Sequence, residues 1–288
     1  MGGGCVVAAV DGSVEALRAA EWAAREAARH GDSLRIVSVP VMPSLMQARK
    51  GSSSTLARTP RAAATRAIRA AVSQASKIAP GLSVDADVLN GAPALAVAHA
   101  GSGASMLVLG APGSDIDSMI LGSVAKYAAA NARCPVVVVH DRRAAAPGEV
   151  VAGIRDPADC DQVLSFAFEE AAIRHARLVA VHAWYWFAPP GPVCGDPVID
   201  PGLIPTGVLG RIVDVLTMWQ RRYPAVKVTG DVVRGDPGHV LSGLTAQADL
   251  VVLGQQAGGH HPGSGGGPCL IQESVLDHIH GAVAFIPA

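Results

Sequence analysis

Residues 106–110 read MLVLG and residues 250–254 read LVVLG, the same apolar run closed by a glycine, at Gly110 and again at Gly254. The two stretches stand 144 residues apart, and two other landmarks keep that offset: Trp22 against Phe166, and Gly91-Ala92-Pro93 against Gly235-Asp236-Pro237. One offset held across three separated landmarks marks an internal repeat. A five-residue aliphatic run that ends on glycine is too short for a helix and suits a strand buried on both faces. The chain therefore reads as one α/β unit written twice.

Working outward from Met106–Gly110, the first copy alternates strands with helices. Apolar runs predict strands at Cys5–Val10, Leu34–Val39, Val84–Leu89, Met106–Leu109 and Val136–Val139. Between them, helical spacing and stop signals predict helices over Val14–His30, Arg61–Ile78, Ala94–Ala100 and Ser123–Ala132. In the second copy strands are expected at Val150–Ile154, Leu178–Ala183, Val226–Val233, Leu250–Leu253 and Val283–Ile286, and helices near Asp161–His175, Val208–Tyr223, Gly238–Gln247 and Ser274–His280. Such alternation implies parallel strands joined by right-handed crossovers. The expected fold is α/β: two tandem, open, five-stranded, mostly parallel sheets with helices on both faces, of the Rossmann-like kind. Residues 1–141 form the first domain, 142–148 a polar linker with Pro147, and 149–288 the second domain.

Composition narrows the function. A net charge of -1 offers no electrostatic footprint for nucleic acid or an anionic membrane, and 4% aromatics leave few stacking platforms for single strands. No apolar run reaches the ~20 residues of a membrane helix. The N-terminal stretch MGGGCVV lacks a basic leader and carries Val6 where a myristoylation signal needs Ser or Thr, so neither export nor lipidation is expected. Five scattered cysteines without a C-x-x-C pair fit free thiols in a reducing cytoplasm.

Two segments are placed to bind a ligand. In an open parallel sheet the ligand sits beyond the carboxyl ends of the strands, where strand order reverses. The first segment is Val10-Asp11-Gly12-Ser13. Asp11 ends a strand and can accept hydrogen bonds from a ribose hydroxyl or an adenine amino group; equally, Asp11-Gly12-Ser13 can be a plain helix cap. The second segment runs from Gly110 through Gly113 to Gly122-Ser123. Glycines let backbone approach an anion, and a helix start aims free N–H groups at it. No G-x-x-x-x-G-K-S/T loop and no G-x-G-x-x-G fingerprint is present.

These residues resemble the universal stress protein family in its tandem two-domain form. VDGS after the first strand, G-x-P after the third, glycine pairs after the fourth and CPVVVV at Cys134–Val139 carry the likeness, which spans nearly the whole chain and is sharper in the first half. The resemblance implies an ATP- or adenine-nucleotide-binding regulator or adaptor in the stress response. It places Val10, Asp11 and Gly12 at the cofactor, with Asp11 on the ribose and Val39 lining the adenine pocket. Gly110, Gly113, Gly122 and Ser123 hold phosphates with Val124 close by, and Pro135 and Val136 border sugar and base. It further implies a pseudo-dimer within the chain, the fifth strand of each half pairing with the other. A protein partner of unidentified kind and a further homodimer go with an adaptor role.

The chain departs from the family pattern in one place. Eight residues, Ser114–Leu121, separate Gly113 from Gly122, one fewer than usual, and they include Asp115 and Asp117. Two carboxylates repel a polyphosphate, hold a bridging Mg²⁺, or point to solvent. Lys126 either offsets their charge or is a solvated lysine. No general base or arginine stands in the loop for hydrolysis, so binding rather than catalysis is expected, at most a weak ATPase. In the second half Arg155 replaces Asp11, Ala257 replaces the second glycine, a Gly/His-rich insert follows, and Glu273 takes the place of Gly122. A carboxylate there occupies the anion position itself, so nucleotide is expected in the first half only. His260, His261, His278 and His280 lack the spacing of a metal site, and none is assigned.

Overall fold

The computed structural model describes residues 3–41, 59–111, 118–140, 148–184, 206–255 and 270–287, with backbone alone for 118–122, 206 and 270. The first half runs β1 (Cys5–Ala9), α1 (Val14–His30), β2 (Ser33–Ser38), α2 (Pro60–Ile78), β3 (Val84–Val88), α3 (Pro93–Ala100), β4 (Met106–Gly110), α4 (Ser118–Asn131) and β5 (Val136–Val139). The second runs β6 (Glu149–Gly153), α5 (Asp161–Arg174), β7 (Arg177–Trp184), α6 (Thr206–Arg222), β8 (Val228–Arg234), α7 (Pro237–Leu244), β9 (Leu250–Gly254), α8 (Leu270–Asp277) and β10 (Ala282–Ile286). The repeat holds in three dimensions. β1, β4 and α3 each recur 144 positions later, and α3 and α7 both open on the proline of their Gly-x-Pro.

The strands join into one ten-stranded sheet, ordered β3-β2-β1-β4-β5-β10-β9-β6-β7-β8. All neighbours are parallel except β5 and β10, which pair antiparallel with Val136 opposite Phe285 and Val139 opposite Ala282. The expected pairing of the two fifth strands is thus present, and it fuses the two sheets that the sequence suggested into one. Because the central pair is antiparallel, the carboxyl edge of one half adjoins the amino edge of the other.

Alternate residues of each strand face opposite sides. Val6, Ala8, Leu34, Ile36 and Val108 face α1 and α2, and the same layer continues through Val150, Ala152, Leu178 and Phe168 in the second half. Val7, Val37, Leu107 and Val138 face α3 and α4, continuing through Val151, Val251, Leu276 and Phe285. Both cores therefore run through the junction without a break. α1 lies close on the sheet because its buried stripe is alanine: Ala16, Ala19, Ala20, Ala23, Ala24 and Ala27. Ser13 caps it by accepting from the Ala16 N–H, and Gly31 closes it at φ 71°, a left-handed turn that glycine adopts freely. At the equivalent end of α5, His175 takes the left-handed conformation at φ 52°.

Two helix starts differ from expectation. α4 begins at Ser118, so Gly122 and Ser123 are its fifth and sixth residues rather than its opening. A glycine inside a helix costs only about 1 kcal/mol, so it does not by itself mark a boundary. α8 likewise begins at Leu270, before the expected Ser274. Residues 42–58, all but the last residue of the expected linker 142–148, Gly113, Asp115, Asp117, residues 185–205, Ala257, His260 and His261, and the insert at 258–268 lie outside the described residues.

Candidate functional site

Strand order fixes where a ligand can enter. In the first half β1 connects outward to β2 while β4 lies on its other side, so order reverses between β1 and β4. β1 pairs with β2 and β4 in parallel register, with Ala9 opposite Val37 and Ala8 opposite Val108. Continuing that register brings Val39, Asp11 and Ala111 to one level, side by side at the carboxyl edge. Val10 still belongs to the ladder: its N–H donates to Val37 O at 2.8 Å and its side chain is buried among the α1-face core. Val10 supports the site from below rather than lining it.

Asp11 is the polar group at this edge. Its Oδ1 accepts from the Ser13 N–H at 2.9 Å and the Ser13 Oγ–H at 2.7 Å. Gly12, at φ 93°, allows the chain to fold back so tightly. The helix-cap reading of Asp11-Gly12-Ser13 is therefore correct, and it leaves a ligand role open: Oδ2 makes no bond among the described residues, and Asp11 is exposed. One oxygen fixes the turn while the other faces solvent. Val39 and Val124 are mostly buried in the opposite-face core, so either offers at most an edge to a flat base.

Gly110 has a packing explanation. A Cβ there would lie 2.8 Å from Ala16 N and from the Glu15 carbonyl carbon, and 2.9 Å from Glu15 O. The first turn of α1 rests directly on the end of β4, and only glycine fits between them. α4 starts on the same edge, after β4. Its first-turn amides, residues 118–120, are the ones that helix geometry leaves without partners, whereas the N–H of Gly122 falls inside the ladder. Ser123 is exposed in the second turn.

Pro135 and Val136 are not part of this edge. Val136 pairs with Leu107 in parallel register, four positions below Ala111, which is about 13 Å at ~3.3 Å per residue. A residue that begins a parallel strand must sit on the amino edge. Across the antiparallel junction Val136 faces Phe285 instead, next to the second half's carboxyl edge, where the Gln255 side-chain amide donates to Ala132 O at 3.3 Å.

The described residues thus offer an adenine nucleotide an exposed carboxylate, a left-handed glycine turn and a helix start around one switch point. That donor set fits a nucleoside with an anionic tail. A shallow cleft of about 600 Å³ lies elsewhere, on the amino edge among Gly4, Asp32, Ser33, Pro80 and Gly81. Its one carboxylate, Asp32, accepts from the Ser105 Oγ–H at 2.6 Å through Oδ2.

Comparison with known proteins gives the same fold and a family. The universal stress protein family model matches residues 5–140. A universal stress protein of Mycobacterium tuberculosis is 31% identical over 272 residues, covering 88% of both chains. One of Mycolicibacterium smegmatis is 31% identical over 283 residues, 90% of this chain and 89% of its own. The chain belongs to the universal stress protein family. Among solved structures, a universal stress protein from Archaeoglobus fulgidus matches with a TM-score of 0.62 at 13% identity, over 99% of this chain and 96% of the other. The cytoplasmic domain of a prokaryotic cation chloride cotransporter matches with a TM-score of 0.50 at 10% identity, over 99% and 95%. These two likenesses concern the fold alone, which does not specify a function.

In this universal stress protein the second half's edge is built from different chemistry. Ile154 N–H donates to Val181 O at 2.8 Å, as Val10 does to Val37, so Arg155 stands where Asp11 stands. Arg155 is exposed and its guanidinium lies 3.3 Å from Asp159. The loop before α5 is three residues longer than that before α1. Lys126 bridges the halves: its Nζ lies 2.8 Å from Asp277 and 3.8 Å from Glu273 on α8, with the side chain still partly exposed. His278 and His280 do not meet; the His278 Nδ1 lies 2.9 Å from Ser274 O, and the His280 backbone N–H donates to Thr245 Oγ1. Among the described residues no helix is long and apolar enough to cross a membrane.

Sequence reading missed a group on the other face of the junction. Glu26 and His30 on α1 meet Glu170 and Arg174 on α5. The repeat carried the signal, since Glu26 and Glu170, and His30 and Arg174, are 144 apart. A charge kept at the same register of two buried helix faces is out of place unless it is paired.

Proposed function

We propose that this universal stress protein binds an adenine nucleotide, ATP, at the carboxyl edge of its first half and acts as a stress-response regulator or adaptor whose occupancy is read by a protein partner. The observation that carries the reading is Asp11: an exposed carboxylate at the switch point, held by its own turn with one oxygen directed outward. It would accept from the ribose hydroxyls, Val39 would border the base, and the amides at the start of α4 would receive the phosphates. Gly113 and the Asp115/Asp117 pair fall in sequence between β4 and α4, and Mg²⁺ would offset carboxylate–phosphate repulsion there. Residues 1–141 and 149–288 are the two domains in this reading, joined by 142–148, and nucleotide goes to the first only, because Arg155 replaces the carboxylate in the second. Its place of action is the cytoplasm.

Isothermal calorimetry with ATP and AMP tests it. A hydrogen bond to a charged group is worth about 1.5–3 kcal/mol, so Asp11→Ala should weaken binding roughly 10- to 100-fold. Ser13 still caps α1 in the variant, so the fold persists. No heat with either nucleotide in the wild-type protein, or unchanged affinity in Asp11→Ala, would remove the proposal.

A further inference from the structure

Where the two halves meet on the α1 and α5 side, four ionisable side chains are shut away from water. Glu26 and Glu170 are each 1% exposed, Arg174 6% and His30 14%. Buried charge is tolerated only when each oxygen is paired. Arg174 supplies most of the pairing. Its Nη1 and Nη2 donate to the two oxygens of Glu26 at 3.1 and 2.8 Å, and its Nε and Nη2 donate to Glu170 Oε2 at 3.1 and 2.8 Å. Arg29, nearly half exposed, adds a bond to Glu26 Oε1 at 2.5 Å. Three of the four carboxylate oxygens thus face an arginine. The fourth, Glu170 Oε1, lies 3.0 Å from His30 Nε2, within ion-pair distance but out of line for a hydrogen bond, and neither atom has a hydrogen-bond partner.

The cluster also lies on the chain's internal two-fold. Glu26 and Glu170 are equivalent positions, as are His30 and Arg174. A symmetric version would carry two permanent arginine charges against two carboxylates. This chain carries one arginine and one group that can lose its charge at physiological pH. Three donors from Glu26, His30 and Glu170 lie within 4.8 Å of one another, close enough for a metal ion. Arg174 already bonds both carboxylates, however, and a divalent cation would have to expel it.

We infer that the junction between the two halves is a proton-sensitive latch, in which cationic His30 is the fourth charge that completes the Glu26–Arg174–Glu170 cluster. The groups facing His30 act in both directions. Glu170 from α5, Glu26 from α1 and Asp32 before β2 favour the proton, burial opposes it, and the Arg174 and Arg29 charges lie behind the carboxylates. The Glu170 carboxylate holds the imidazole above its ordinary value of 6.5. Burial pushes Glu170 up, but His30 and Arg174 outweigh it and keep the carboxyl below 4.5. Burial raises Glu26 against the pull of Arg174.

The sign follows from linkage. A histidine raised in the folded state contributes stability that is complete below its unfolded value and is lost as pH rises through its folded value. The folded-to-unfolded ratio should fall tenfold for each unit by which the folded value exceeds the unfolded one. Acid titration mixes Glu26 and Glu170, which act in opposite directions, so the latch is read on the alkaline side.

The test joins two measurements on the full chain. An NMR titration of the histidine imidazoles, with His30 identified by its loss in His30→Arg, should give a value above 6.5 for His30; a value at or below it overturns the latch. Urea unfolding from pH 5.5 to 9 should show wild type losing stability relative to His30→Arg across the His30 titration, while His30→Gln runs parallel to His30→Arg from a lower start. Parallel wild-type and His30→Arg curves overturn the latch. So does a Zn²⁺-dependent rise in the wild-type midpoint that is absent in His30→Gln, since it would make the cluster a metal site. The wild-type titration decides the matter even where a variant folds poorly.

Discussion

Gly110→Ala separates the two readings of the glycine at the end of β4. If Gly110 is there to let a phosphate approach, an added methyl should weaken ATP binding and leave stability alone. The geometry points to a different outcome. The new Cβ would lie 2.8 Å from Ala16 N and from the Glu15 carbonyl carbon, against an ordinary contact of 3.4 Å or more. These are backbone atoms of the first turn of α1, which cannot rotate aside, so the helix end must shift by roughly 0.6 Å or β4 must bend. Overpacking of this kind costs about 1–3 kcal/mol. The repeat provides its own control. Among the described residues a Cβ on Gly254 would meet only the Val163 Cγ2, at 3.4 Å, because α5 begins at Asp161 and the longer loop before it keeps the helix start off the strand. Gly254→Ala should therefore stay within about 0.5 kcal/mol of wild type. Urea unfolding followed by circular dichroism measures both. Equal midpoints for the two variants would refute the packing argument. ATP affinity lost without any loss of stability in Gly110→Ala would restore the phosphate reading.

Arg174→Met removes the cation shared by Glu26 and Glu170 and strands two buried carboxylates; the expected loss is about 3–5 kcal/mol near pH 8, shrinking toward pH 5 as the carboxyls take up protons, and an unchanged urea midpoint would contradict it. Burial raises the thiols of Cys134 and Cys160 to about 11, so at pH 8 about one molecule in a thousand carries either thiolate. Both should resist iodoacetamide in the native protein and react in urea, as peptide mass spectrometry would report; stoichiometric labelling of native protein within minutes would show those sites open.

The central strands were legible because each is an apolar run bounded by glycine, proline or polar residues, whereas the outer strands β3 and β8 carry aspartates, and the sheet edge with Asp11 followed from strand order. What was not legible came from contacts between distant segments. CPVVVV matched a family strand, yet Pro135 opens β5, and parallel pairing with β4 places it on the amino edge, away from Asp11. Gly122-Ser123 had the composition of a helix start, but glycine is only a weak breaker, and α4 extends back to Ser118. For Lys126 the sequence offered only the carboxylates nearby along the chain or solvent; its partners among the described residues are Asp277 and Glu273, about 150 residues away. Glu26 matches Glu170 across the repeat, but only the folded chain shows that Arg174 from the other half covers Glu26.

The two faces of the junction are held by different chemistry, and the difference bears on how the halves communicate. On the α4–α8 face, Lys126 meets Asp277 and Glu273 with all three side chains between 27% and 49% exposed, so water and salt screen the attraction and it contributes little. On the α1–α5 face the charges are dry and mutually dependent, so removing one leaves the others unpaired. Both cores continue through β5 and β10, so apolar burial holds the halves together whatever the charges do. The buried cluster adds a charge-dependent contribution on top of that apolar burial. α1 is also the helix whose first turn rests on Gly110 and whose cap is tied to Asp11. A change at its last residue, His30, and a change at its first turn act on one rigid body of 17 residues. That helix is the physical connection between the carboxyl edge of the first half and the junction with the second.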